Sequence, residues 1–273
     1  MQRIRKKSAA RYSRSSHEKP AISGVIPIKR QAEIEAIRKA GRVVAGVLAM
    51  FEEIIRAGMR TKELDKMAEE FIYDNGAKPA FKGYRGFPAN ICVSVNSEVV
   101  HGIPGEYEIR DGDLVSVDVG AIVDDFYGDG AATYYVGEPA QEVKRFIETT
   151  RRALDEGISR MVSGNRVGDI SNAVQRVVEG GGYSVVRDLV GHGIGRNMHE
   201  EPQIPNYGVA GTGPLIQDGM VFAIEPMVNM GRHGIRTLDD GWTVVAADGG
   251  LSCHFEHTVA AAPDGPQILT LPG

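Results

Sequence analysis

Acids buried in apolar text constrain this chain more than any other feature. Asp118 sits in VSVDVGAIV, Glu225 in MVFAIEPMV and Glu256 in SCHFEHTVAAA, stretches that otherwise read as strand. A carboxylate taken out of water is costly unless it is paired, protonated or bound to a cation. One such residue is ordinarily a paired structural charge. Three of them, far apart in the chain, call for a fold that brings separate strands to one neutralising partner.

The stretch DVGAIVDDFYGDG, residues 118–130, reads as part of a long hairpin. Asp-Asp favours a turn, so Val123, Asp124 and Asp125 take the bend. This reading sets Asp118 and Asp129 opposite each other, with side chains meeting across the ladder. Two like charges there repel unless a cation lies between them. His192, in LVGHGIG, has glycine neighbours that let a ligand approach. Asp118, Asp129, Glu225 and Glu256 with His192 form an oxygen-rich donor set that suits Mn, Fe, Co or Zn. Four acids exceed the charge of one dication, so two divalent metal ions are expected.

Order along the chain points to an α+β fold. Apolar residues at Ile34, Ile37, Val43, Val47, Leu48, Phe51 and Ile55 mark one buried helical face. A second helix follows, with Thr61 as expected N-cap and Gly76 as stop. Strand-like text runs from Ile91 to Val95 and through the hairpin. The second half repeats helix, helix, strands, with Gly180 to Gly182 ending its second helix. The repeat is one of element order and implies two pseudo-symmetric halves.

The first twenty residues differ in composition. Seven basic residues, Arg3, Arg5, Lys6, Lys7, Arg11, Arg14 and Lys19, face Glu18 alone, a balance of 7 − 1 = +6. With a net charge of −5, the remainder stands at −5 − 6 = −11. Residues 1–25 therefore read as a disordered basic extension. Contact with ribosomal RNA phosphates and a transit-like role stay open for it. Cys92 and Cys253 form no disulfide pattern, and no stretch spans a membrane or resembles a secretory signal. A cytoplasmic protein is expected, with neither membrane nor DNA as partner.

The order Asp118, Asp129, His192, Glu225, Glu256 resembles the methionine aminopeptidases. So do NSEVVHGIPG, SVDVGAIVDDFYGDGA, GHGIGRNMHEEPQIPNY and DDGWTVVAADGGLSCHFEHTV. The resemblance covers residues 30–270. It is to the bacterial type I form, because 225 − 192 = 33 residues leave no room for the type II insert. It implies a pita-bread fold: a central curved antiparallel sheet covered by helices, in one catalytic domain over 26–273 with halves 26–138 and 139–270. It also implies removal of initiator methionine from nascent chains, with a small second residue preferred. Metal-activated hydroxide would attack the first peptide bond. Asp118 would chelate one metal, Asp129 and Glu256 would bridge both, and His192 and Glu225 would complete the second site. Glu225 would also shuttle protons, His101 would act near the scissile nitrogen, and His199 would bind the oxyanion.

The same resemblance places Phe81, Tyr84, Phe87, Cys92, His101, Met198, His199 and Trp242 around a methionine pocket. Met198 and Phe81 depart from the family's common residues but stay apolar. Gly130 and Ala131 stand where hydroxyl residues are common, so a hydrogen bond supporting the metal carboxylates is expected to be missing. His257 faces away from Glu256 by strand alternation, and no role is assigned to His254. Glu200 and Glu201 are left outside the site because nothing in the local text buries them. A monomer is expected. A proline-directed peptidase and a non-catalytic binding protein on the same fold are the rival readings.

Overall fold

The computed structural model describes residues 24–273. All but the last two residues of the basic extension expected over 1–25 lie outside the described residues. The first half contains α1 (Gln31–Ile54), α2 (Thr61–Asp74), β1 (Lys78–Pro79), β2 (Ile91–Val95), β3 (Glu98–Val100), β4 (Leu114–Val123) and β5 (Phe126–Tyr135). The second half opens with α3 (Gln141–Ile158), α4 (Val167–Gly180), β6 (Ser184–Val185), β7 (Val190–Gly193), β8 (Glu200–Pro205) and β9 (Val221–Ile224). It closes with β10 (Met227–Asn229), β11 (Ile235–Thr237), β12 (Val244–Ala246), β13 (Ser252–His254), β14 (Glu256–Ala262) and β15 (Gly265–Ile268). The order helix, helix, strands thus occurs twice. None of the described helices is long and apolar enough to cross a membrane.

Local chemistry explains the helix starts. The N–H groups of Arg30, Arg60 and Arg166 donate to the carboxylates of Glu33, Glu63 and Asp169, three residues on, at 3.0, 2.6 and 2.8 Å. Thr61 is therefore not the cap: Arg60 is, and the Thr61 hydroxyl donates to the Gly105 carbonyl at 3.2 Å.

The main sheet runs β1-β4-β5-β14-β9-β7-β8, with β2 on β4 and β15 on β14. Strand alternation divides its faces. Val115, Val117, Val119 and Ala121 of β4 enter the core built with α1 and α2. Phe222, Ile224 and Val259 enter the core built with α3 and α4. The intervening residues, Asp118 and Gly120 among them, face the opposite side. Helix α1 lies very close to β5, where a Cβ on Gly128 would sit 2.7 Å from the Gly41 nitrogen.

Two chains change sheets beside each other. Strand β9 belongs to the main sheet and β10 to a small sheet with β13 and β6, while β13 and β14 divide in the same way. The register is continuous across the break: Met227 pairs His254 and Ile224 pairs His257, so 227 + 254 = 224 + 257 = 481. Glu225 and Glu256 also sum to 481 and stand opposite each other at the crossing. Glu225 is thus not inside a strand as expected. It lies just past β9, where Pro226 has no N–H to continue the ladder.

Candidate metal centre and substrate pocket

The sheet register assembles the acids. Asp118 pairs Ala131, and Ala131 pairs Glu256, which stands opposite Glu225. The three carboxylates share one row and one face, with the short side chain of Ala131 between two of them. Asp129 pairs Gly120. It is therefore diagonal to Asp118, not directly opposite as the hairpin reading placed it. His192 pairs Ala223, two residues before Glu225, which keeps the imidazole on the same face.

The two nitrogens of His192 have separate surroundings. Nδ1 lies 3.0 Å from the Gly193 carbonyl, which can only accept, so Nδ1 carries the proton. The lone pair of Nε2 then faces Asp129 Oδ2 at 3.8 Å and Glu225 Oε1 at 3.6 Å. His254, missed as a candidate, is buried behind the acids. Its Nε2 is 3.9 Å from Glu225 Oε2 and 4.0 Å from Glu256 Oε2. It sits two residues before Glu256, so strand alternation alone could have found it.

Burial governs every titration here. It pushes Asp118 up to about 7, against a hydrogen bond with Asp129 that pulls the other way. Asp129, Glu225 and Glu256 are raised well above ordinary carboxylates, first by burial and then by one another's charge and that of Asp118. Burial depresses His192 to about 4 and His199 and His254 to about 3, and lowers His101. The acids are short of donors. Asp118 Oδ1, Asp129 Oδ1 and Glu256 Oε1 are buried with no hydrogen-bond partner among the described residues. Ligand atoms of Asp129, His192 and Glu256 lie within 4.8 Å of one another. Unpartnered carboxylate oxygens around a free imidazole lone pair fit a divalent cation.

These residues share a cavity of about 270 Å³ with Phe81, Tyr84, Phe87, Cys92, His101, Met198, His199 and Trp242. Arg85, Val100, Asp188, Leu189, Val190 and Met227 line it too and were not anticipated. Trp242 meets Phe87 edge-on at 5.2 Å. Its turn is held by Asp240, which accepts from the N–H groups of Trp242 and Thr243 at 2.8 and 2.9 Å. Tyr84 stacks on His199, with its hydroxyl 2.9 Å from Nδ1. His101 has a φ of 60°, a strained conformation for a non-glycine residue. The next residue must be glycine: a Cβ on Gly102 would lie 2.2 Å from the Val93 carbonyl.

Two supporting contacts differ from expectation. Glu200 is buried, because its carboxylate pairs with Lys29 Nζ at 2.5 Å, and both side chains are under a tenth exposed. It does not line the cavity with the other acids, though its charge reaches His192. No described side-chain hydroxyl donates to the Asp129 carboxylate, but the Gly130 backbone N–H does. Thr258 Oγ1 also accepts from the Asp129 N–H at 3.0 Å and donates to its carbonyl at 2.7 Å. As expected, His257 faces away, to Thr270 Oγ1 at 2.8 Å.

The family model described as metallopeptidase family M24 matches residues 35–262. This chain belongs to metallopeptidase family M24. Among M24 relatives, the methionine aminopeptidase of Clostridium perfringens is 52% identical over 247 residues, 90% of this chain and 99% of the relative. The crystal structure of methionine aminopeptidase from Thermotoga maritima superposes with a TM-score of 0.89 at 45% identity, covering 90% of this chain and 100% of that one. Prolidase from Pyrococcus furiosus gives 0.73 at 25% identity, covering 90% of this chain and 66% of that one. The α+β pita-bread expectation holds, and the M24 chain is a metal-dependent hydrolase.

Proposed function

We propose that this protein is a methionine aminopeptidase that removes the N-terminal methionine of nascent chains, with a small second residue preferred. The observation that carries the reading is one cavity in which an apolar wall meets the acid cluster. Phe81, Phe87, Met198 and Trp242 suit a flexible thioether. The free α-amine would bind at the cation site that the neighbouring carboxylates form, which limits cleavage to the first residue.

Asp118, Asp129, His192, Glu225 and Glu256 would hold two divalent cations. Bound there, the ions supply Lewis acidity and bring the pKa of a water towards neutrality. Glu225 takes the proton of the attacking water and returns it to the departing amide nitrogen. His101 stands near that nitrogen. The Tyr84 hydroxyl lies 2.9 Å from His199 Nδ1; in the tautomer with its proton on Nε2, His199 would bind the carbonyl oxygen as it gains charge. We assign a cytoplasmic monomer whose basic extension is a candidate for ribosome contact.

Hydrolysis of Met-Ala-Ser against Ala-Pro-Ala tests the assignment. Faster cleavage of the methionyl peptide is expected. Faster cleavage of the prolyl peptide would move the protein to a proline-directed role.

A further inference from the structure

Glu225 is bracketed by two imidazoles, one for each of its oxygens. His192 Nε2 addresses Oε1 at 3.6 Å, and His254 Nε2 addresses Oε2 at 3.9 Å. His192 belongs with Asp129 and Glu256 to the group whose ligand atoms lie within 4.8 Å of one another, and Asp118, Glu225 and His254 lie outside that group. His254 is 2% exposed, and its Nε2 has no hydrogen-bond partner among the described residues. Burying a ring nitrogen without a partner costs free energy, so one that faces the carboxylates of Glu225 at 3.9 Å and Glu256 at 4.0 Å needs a reason.

The backbone holds the ring in place. The His254 N–H donates to Thr133 Oγ1 at 3.0 Å, and that hydroxyl donates to the His254 carbonyl at 2.7 Å. Thr133 Oγ1 also meets Ser116 Oγ at 2.8 Å. On the other side, Pro226 removes the ladder bond next to Glu225, and Asn206 Nδ2 donates to the Glu225 carbonyl at 2.9 Å. The backbone is therefore held on both sides of the contact, at His254 by Thr133 and at Glu225 by Asn206. A gap of 3.9 Å is too long for a direct hydrogen bond, but such contacts tighten when substrate binds.

We propose that His254 is a positioning residue that donates its Nε2–H to Glu225 Oε2 and sets the angle at which that carboxylate exchanges its proton. This rests on the aminopeptidase reading, in which Glu225 is the proton carrier.

The test uses the full-length protein loaded with Mn²⁺, Met-Ala-Ser kinetics and Mn²⁺ calorimetry. His254→Leu should lower kcat about 10–100-fold with KM changed less than about threefold. His254→Gln, which restores an N–H donor of similar reach, should keep kcat within about threefold of the wild type. Mn²⁺ stoichiometry should be the same in all three proteins. Equal loss in the leucine and glutamine variants, or full kcat in the leucine variant, would overturn the proposal. Loss of an equivalent of Mn²⁺ in His254→Leu would also overturn it, by making His254 a ligand. If His254→Leu does not fold, His254→Asn takes its place; its amide falls short of Glu225, so a low kcat supports the role and a glutamine-like kcat refutes it. If the wild type releases no methionine, the aminopeptidase reading fails separately. Calorimetry then still reads His254, through an Mn²⁺ Kd raised about tenfold in the leucine variant and not in the glutamine variant.

Discussion

His192 and Glu225 show how neighbours assign roles to single atoms. The Gly193 carbonyl holds the proton of His192 on Nδ1, so Nε2 is left to face the acids. Burial, and after it the charge of Asp118, raises the proton affinity of Glu225, which suits the proton carrier proposed for it. Glu225→Gln keeps the shape and removes the base, so kcat should fall about 10²–10⁴-fold with the thermal transition little changed. Comparable turnover would remove Glu225 from proton transfer. Asp118 links the site to pH. Its folded-state value of about 7 lies above its ordinary 3.8, so the ion-free fold binds more protons than the unfolded chain between those values. Ion-free stability therefore falls as pH rises through this window. A bound cation displaces that proton, and the unfolded reference is common to both forms. The rise in Tm caused by Mn²⁺ should accordingly grow between pH 5 and about 7.5, as scanning calorimetry at fixed free Mn²⁺ would show. A shift that shrinks with pH would contradict the assignment of Asp118 as a ligand.

At the scale of elements, Ala131 explains what the missing hydroxyls left open. It stands between Asp118 and Glu256 across three strands, so its small size keeps the carboxylate row clear. Ala131→Leu should weaken Mn²⁺ binding about tenfold or more, measured by calorimetry, while Ala131→Ser should bind like the wild type. The Lys29–Glu200 pair ties the lead-in to α1 to the start of β8, next to His199. Lys29→Met should cost about 3–5 kcal/mol in urea unfolding, because it leaves a buried carboxylate without a partner. Adding Glu200→Leu should recover most of that. These elements were unevenly legible in the sequence. Strand β2 and the α1 face followed from periodicity, and the Asp124–Asp125 bend followed from turn chemistry, both residues taking positive φ. The hairpin register did not. Putting Val123 in the bend paired 118 with 129, a sum of 247, where the two-residue turn gives 118 + 131 = 249. An error of two keeps every side chain on its face, so the acids were still gathered correctly. The break at Glu225 was readable from Pro226. Burial of Glu200 by Lys29 was not, because 171 residues separate them.

The whole molecule divides its labour between two faces of one sheet. Each helix pair covers its own half with an apolar core, and the other face carries the acid row beside the apolar pocket wall. Removing cations should therefore leave far-UV circular dichroism unchanged while hydrolysis is lost, since the helix cores owe nothing to the acid row. The α+β class followed from the order of elements, the pita-bread fold from the family resemblance, and the convergence of the acids from buried charges in strand text. The handover between sheets at Glu225 and Glu256 belongs to topology alone. The most direct test of the central claim is release of free methionine from Met-Ala-Ser, followed with and without chelator. Methionine and Ala-Ser should appear with divalent ions present, stop when the ions are removed and resume when Mn²⁺ returns. Release that persists in the chelator, or no release with any divalent ion, would contradict it.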